Sequence, residues 1–389
     1  MIPRIAADLV KKLSEQFSAV LIQGPRQCGK TTLALSFLEG DYFDIEKPSD
    51  RQVFAEDIEY ALRQFENPII LDEAQELPEL FPVLRTLIDE DRKKTGRFFL
   101  LGSVNPALVH QVSETLAGRI GIVELSPLLF PEVAKHGIPL NDLWMKGGFP
   151  DALLAETIEK WRFWQENYRR TYIERDLIRY GIKASPVQMG QLLGLIAGRN
   201  GGLLNLSELG RLFGASYHTI GSYLDMLEGH FILRRLQPYH PNIEKRFVKS
   251  PKLYVRDSGL LHGFLGISGQ RELLSSPQKG SSFEAVMIEQ IIGMEQVAAV
   301  GSRFYFYRSH AGAEIDLIVD RGSERIGFEF KCAASAGRRD WAALIGGIKD
   351  GMIHRGFLVN MGDRSFRPAE GIQVVPAEEI CRDNGTWAA

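Results

Sequence analysis

At 389 residues, with 44% hydrophobic and 24% charged side chains, the chain has room for two or three domains and an ordinary globular composition. A formal net charge of -3 excludes a global pull toward nucleic acid or membrane, so any such contact needs a local patch. Cys28, Cys332 and Cys381 are too few for a disulfide framework or a zinc site. The N-terminus lacks the apolar core of a signal peptide, and the longest apolar stretch, 285–300, is broken by Glu289 and Glu295, so the expectation is a cytoplasmic protein with no membrane contact.

The first strong signal is a short apolar strand, Ala19–Gln23, followed by Gly24-Pro25-Arg26-Gln27-Cys28-Gly29-Lys30-Thr31 and a helix start at Thr32. This fits the phosphate-loop pattern in its strand–loop–helix context. Gly24 and Gly29 let the backbone curl so that its N–H groups point at a polyphosphate, and the following helix adds its positive end. Lys30 reaches the β- and γ-phosphates, and Thr31 offers a hydroxyl to Mg²⁺. The nucleotide-binding set is Gly24, Pro25, Arg26, Gln27, Cys28, Gly29, Lys30, Thr31 and Thr32.

Further along, Tyr42–Ile45 reads as a strand, and Pro68–Leu71 as another ending in Asp72 and Glu73. After a phosphate loop this acidic pair has a meaning: Asp72 holds Mg²⁺ and Glu73 is the general base for the attacking water. Arg97–Leu101 is a third strand leading into Gly102-Ser103-Val104-Asn105, where Ser103, or next Asn105, could touch the γ-phosphate. Ile120–Leu125 closes the set. Strands alternating with helical segments predict an α/β fold with a doubly wound, mainly parallel sheet. Arg119, just before the last strand, is a candidate arginine finger for the same or a neighbouring subunit.

The runs GPRQCGKTT, LDEAQELP, LLGS, LAGRI and ELSPLLFPE resemble those of prokaryotic AAA-type ATPases that carry a C-terminal domain of unknown function with a nuclease-like fold. The resemblance covers essentially the whole chain. It implies ATP bound through Gly24, Gly29, Lys30 and Thr31, with Mg²⁺ and water handled by Asp72 and Glu73. It also implies subunits that share sites, hence a homo-oligomer. Cys28 departs from the family's small aliphatic residue, a change the loop tolerates because its backbone does the binding.

Beyond this core, taken as residues 1–150, the segment 151–197 reads as a helical lid with Trp161, Trp164, Tyr168 and Tyr172 among arginines and glutamates. Arg169, Arg170 and Arg175 could reach phosphates from it, or pair with Glu166, Glu174 and Asp176. Residues 198–270 read as a winged helix: a helix Ser207–Phe213 capped by Ser207, a turn, a second helix Tyr217–Glu228 with Ile220, Leu224 and Leu227 inward, and a wing from Phe231. The second helix presents Tyr217, His218, Thr219, Ser222 and Tyr223 without Arg or Lys, which argues against base reading. The run Arg234, Arg235, Lys245, Arg246, Lys249 and Lys252 could grip a phosphate backbone, or be a solvated face or subunit contact.

In 271–389, an amphipathic helix Ser282–Met294 carries Glu284, and strands Phe304–Arg308, Ala313–Val319 and Arg325–Lys331 follow. Alternation puts Glu314, Asp316 and Ile318 on one face, with Ile315 on the other, and pairs Glu329 with Lys331. Asp316, Glu329 and Lys331 can thus converge with Glu284 in the constellation of the PD-(D/E)xK nuclease fold. As a metal site, Glu284, Asp316 and Glu329 would be ligands and Lys331 would steady the attacking hydroxide; as a bland alternative, the same groups are an ion-pair cluster. The expected function is Mg-dependent ATP hydrolysis driving a C-terminal domain on DNA or RNA. The rival is an ATP-driven signalling or assembly switch with a scaffold C-terminal domain.

Overall fold

A computed structural model describes residues 1–102, 115–176, 183–240, 250–298, 301–309 and 312–382, with backbone alone at 173–176. The chain divides into two compact units, Met1–Leu128 with Gly229–Phe231, and Leu129–Glu228 with Ile232–Ala389.

In the first unit five strands, β1 (Ala19–Gln23), β2 (Asp41–Asp44), β3 (Ile69–Asp72), β4 (Phe98–Gly102) and β5 (Ile120–Glu124), form one sheet in the order β2-β3-β4-β1-β5. Every neighbouring pair is parallel. The inner strands β3 and β4 are buried along their whole length, and β1 nearly so, as their unbroken apolar runs require when helices cover both faces. The helix Leu80–Glu90 sends Phe81, Leu84, Leu87 and Ile88 into the core formed with Leu21, Leu71 and Leu100. This is the parallel α/β sheet that strand and helix alternation predicts. Gln23, Asp72 and Gly102 all lie at its C-terminal edge, where open α/β sheets bind ligands.

The second unit begins with short helices and the helix Ile158–Tyr168, which continues as a π-helix over Arg169–Asp176. Trp161, Tyr168 and Tyr172 are core, and Trp164 stacks on Tyr168 at 4.8 Å. The helices Leu206–Phe213 and Tyr217–Gly229 follow, separated by Gly214 at φ +81. The first is capped by Asn205, whose side chain accepts from the Glu208 N–H, and not by Ser207. Ile220, Leu224 and Leu227 face inward as expected, but Tyr223 is buried with them and leaves the presented face. β6 (Leu233–Pro238) starts after Phe231, whose φ of +60 is incompatible with a strand.

β6 and β7 (Lys252–Val255) join β8 (Arg303–Arg308), β9 (Glu314–Asp320), β10 (Arg325–Lys331), β11 (Arg355–Asn360), β12 (Phe366–Ala369) and β13 (Ile372–Pro376) in one sheet, in the order β12-β13-β11-β10-β9-β8-β6-β7. β9 runs antiparallel to both of its neighbours, β8 and β10, and β10 runs parallel to β11. The helix Lys279–Ala298 is not amphipathic as expected: Ser282–Glu295 is buried apart from Glu284. Its charges survive there by pairing, Glu289 with Arg234 and Arg256, and Glu295 with Arg321.

The alternation expected on β9 also fails at one point. Ile315 and Ile318 enter the same apolar cluster with Leu344, Ile353 and Leu358. The cause is a register shift against β8, where Tyr305 faces Ile318 but Tyr307 faces Ile315. One extra residue in the β9 stretch reverses the face of what lies before it, Asp316's neighbourhood included.

Candidate functional site

The phosphate loop leaves β1 at Gln23 and turns at Gly24, where a Cβ would stand 2.3 Å from the Leu125 carbonyl oxygen; only glycine fits. Gln27 and Gly29 take left-handed φ values of +65 and +100, and the helix Lys30–Phe37 starts immediately after. Gly29 has no side chain to cap that helix, which leaves the helix start without a side-chain acceptor, an arrangement suited to an anion. Lys30 is 5% exposed and donates through Nζ to the carbonyls of Gly24 and Pro25, both at 3.1 Å. Thr31 Oγ1 donates to Asp72 Oδ2 at 2.5 Å, and Tyr42 donates to the same oxygen at 3.0 Å. Burial raises the Asp72 carboxyl, and the Thr31 and Tyr42 hydroxyls pull it back. Burial and the Asp72 charge raise the Tyr42 phenol.

Glu73 follows in a left-handed conformation, φ +50, and its carboxylate accepts from Gln75 Nε2 at 2.5 Å. A non-glycine residue held there is a strained position of the kind found at working sites. Arg26 lies 3.6 Å from Glu46, and Gln27 and Thr32 are exposed. The Cys28 thiol is buried, 3.5 Å from the Leu125 carbonyl, and burial pushes it up, which makes it an inert filler and not a redox handle. Two neighbours escaped the sequence reading. Tyr42 is one. The other is Arg4, whose guanidinium donates to the carbonyls of Cys28 at 2.8 Å and Ser126 at 2.5 Å, tying the chain's start to the loop.

Arg119 stands elsewhere. Parallel pairing sets Ala19 beside Ile120 and Gln23 beside Glu124, so Arg119 lies at the opposite end of β1 from the loop. Its guanidinium donates to both oxygens of Asp89 at 2.8 Å, so it is turned to that carboxylate and not to the loop of its own subunit. Ser103 and Asn105 lie outside the described residues.

In the second unit Glu284, Asp316, Glu329 and Lys331 do come together, lining one cleft of 740 Å³. Burial, with the Asp316 charge, pushes Glu284 up to about 7 and Glu329 up to about 8. Yet their oxygens are largely engaged. Tyr254 donates to Glu284 at 2.5 Å, the Phe330 N–H to Asp316 at 3.0 Å, and Lys331 Nζ to Glu329 Oε1 at 2.7 Å. Lys252 is the surprise. It is 2% exposed, and its Nζ lies 2.9 Å from Glu284, 2.5 Å from Glu314 and 3.4 Å from Asp316. Burial opposes its charge, but these carboxylates outweigh that and hold it charged. A hard divalent cation needs several free oxygens. Glu329 Oε2 is buried without a hydrogen-bond partner, but among the described residues no group of three or more His, Cys, Asp or Glu is placed to hold a metal. The set therefore does not fit the metal expected at Glu284, Asp316 and Glu329.

The described part of the basic run is paired as well. Arg234 binds Glu289, Arg235 binds Glu228 and Asp225, and Lys252 sits in the cluster just described. This corrects the phosphate-gripping option for these three; Lys245, Arg246 and Lys249 lie outside the described residues. Arg169 and Arg170 pair with Glu166. No described helix is long and apolar enough to cross a membrane.

Three family models match the chain: an AAA domain over residues 16–134, a domain of unknown function (DUF8612) over 139–271, and a domain of unknown function (DUF4143) over 279–380. The uncharacterized protein Rv2008c of Mycobacterium tuberculosis is 36% identical over 384 residues, covering 97% of this chain and 84% of its own, and Mb2031c of Mycobacterium bovis matches equally. Among solved structures, the Walker-type ATPase PABY2304 of Pyrococcus abyssi aligns with 67% of this chain and 94% of its own, at 14% identity and a TM-score of 0.44. With its phosphate loop inside an AAA domain and a DUF4143 domain behind it, the chain is a P-loop protein of the AAA type and belongs to the family of the two mycobacterial proteins.

Proposed function

We propose that the protein binds and hydrolyses Mg·ATP and uses that cycle as a switch, with a C-terminal module that binds a partner and does not cut nucleic acid. The observation that carries the first half is Lys30: a buried ammonium whose hydrogen bonds go to the neutral carbonyls of Gly24 and Pro25, with Asp72 as a nearby charge, is a cation suited to a polyphosphate. Lys30 then exchanges its carbonyls for β- and γ-phosphate oxygens, the loop N–H groups hold the rest, and Glu73 takes the proton of the attacking water. Thr31 and Asp72, adjacent oxygen donors, fit Mg²⁺, which when bound would neutralise charge developing on the phosphates.

The second half rests on the cluster of Glu284, Asp316 and Glu329 with an ammonium already inside it, and on the paired state of Arg234, Arg235 and Lys252. The strand order β8-β9-β10-β11 behind a Glu-bearing helix supports a nuclease-like fold, and the two helices before β6 support a winged helix. Folds of this kind carry function only through their sites. The test is to follow phosphate release by wild type and Glu73→Gln, and to incubate wild type with DNA and RNA in Mg²⁺ or Mn²⁺, with and without ATP. Wild-type turnover, none in Glu73→Gln, and intact nucleic acid are expected. Cleavage abolished by Asp316→Ala would restore the nuclease reading.

A further inference from the structure

Four carboxylates, Glu284, Glu314, Asp316 and Glu329, crowd one end of the β9–β10 pair, and such a set repels itself unless a cation or protons intervene. Lys331 answers Glu329 from the rim at 36% side-chain exposure. The centre is answered by Lys252, which arrives from β7, on the far side of β6 and β8 in the sheet. Its position is built. Leu253 and Tyr254 beside it are buried, Tyr254 supports Glu284 from the same strand, and the Lys252 ammonium lies 5.6 Å from the Phe306 ring centre.

We propose that Lys252 is the resident cation of this cluster: a tethered ammonium standing where a divalent metal would otherwise be needed, so that the cluster is complete without metal and accepts one only when Lys252 is removed. The ammonium bridges three carboxylates contributed by the helix Lys279–Ala298 and β9. It thereby ties the 139–271 segment to the 279–380 domain. Glu329 Oε2, unpartnered and lining the same cleft, is the acceptor left over for an incoming cation once the ammonium is gone. The inference deepens the non-nucleolytic reading, and its test involves no turnover, so either can fail alone.

The test measures Mn²⁺ binding by electron paramagnetic resonance, and thermal unfolding with Mn²⁺ or with chelator. All samples carry Asp72→Asn, which silences the nucleotide site. With Lys252 in place, no bound Mn²⁺ and no Mn²⁺-dependent shift in Tm are expected. With Lys252→Met added, Tm should fall in chelator and recover in Mn²⁺, and bound Mn²⁺ should rise from none to one per chain, the sense in which ligand charge tunes such sites. Asp316→Asn should abolish that binding. Mn²⁺ bound at Asp316 while Lys252 is present would overturn the proposal, and this arm stands even if Lys252→Met does not fold. A folded Lys252→Met protein that binds no Mn²⁺ would overturn it as well.

Discussion

Each unit of this molecule holds a buried lysine beside buried carboxylates, and the two lysines are opposites. Lys30 donates to backbone carbonyls, with Asp72 engaged by hydroxyls. Lys252 touches three carboxylates. Both are nearly inaccessible, at 5% and 2%. The same residue types thus make a charge kept in reserve and a charge already spent. What separates them is the partner: a neutral carbonyl yields to an arriving phosphate, while a carboxylate in low dielectric does not let go.

The largest effect expected from this contrast is on chemistry. Glu73→Gln should keep ATP binding and lower kcat by about 10²–10⁴-fold, the usual worth of a general base. Lys30→Ala should weaken ATP binding by about 10–100-fold, the order of one or two hydrogen bonds between charged groups. Calorimetric titration with ATP, alongside phosphate release, separates the two. A Glu73→Gln enzyme with wild-type turnover would remove the role given to Glu73.

Stability should show the reverse ranking. Lys252→Met strands buried carboxylates and should cost about 3–5 kcal/mol in the absence of metal, as breaking buried ion pairs does. Lys30→Ala breaks hydrogen bonds to carbonyls and no direct ion pair, and should cost much less. Urea unfolding of the two variants checks the order, and equal costs would erase the distinction between the two lysines.

A smaller, pH-dependent effect belongs to the cluster alone. An unfolded Glu ionises near ~4.3, whereas folded Glu284 and Glu329 are raised to about 7 and about 8. Between these limits the folded state holds protons that the unfolded state has released. Their contribution to stability is therefore full below the unfolded value and is lost as pH rises through the folded one. Glu329→Gln should flatten that decline, measured by unfolding across the window. An unchanged slope would mean that folded Glu329 does not hold a proton through this window.

Much of this was legible in the sequence, for a reason that also marks the limit. β1 and β10 have the ends their apolar runs and flanking residues predict, and the phosphate loop and the Asp72–Glu73 pair are local patterns that need no partner to be read. Lys252 was misread because, in sequence, it ends a basic run. Its partners lie 32 to 64 positions away, and only the fold brings them together. Arg4 escaped for the same reason, since its contact with Ser126 spans 122 positions. The face of Ile315 was lost to a register shift that the residue types do not announce.

The smallest effect expected is at Arg119, and it bears on whether the first unit works alone. An arginine before the last strand of an AAA-type core invites a role in a neighbour's pocket. In this chain its guanidinium holds both oxygens of Asp89, on the helix Leu80–Glu90, and Asp89 is itself held by Arg92. Arg119 and Arg92 together keep the Asp89 carboxyl well below its ordinary value, down to about 2. That is the signature of an exposed network fastening a helix to the edge of a sheet, where each pair contributes little. Arg119→Ala should therefore leave ATP hydrolysis within about twofold of wild type at every protein concentration, since no contact made in the transition state is removed. Mixing Arg119→Ala with Lys30→Ala subunits tests the alternative directly. If both variants are inactive alone and activity returns on mixing, a competent pocket has met a competent arginine from another chain, and Arg119 must leave Asp89 to act there.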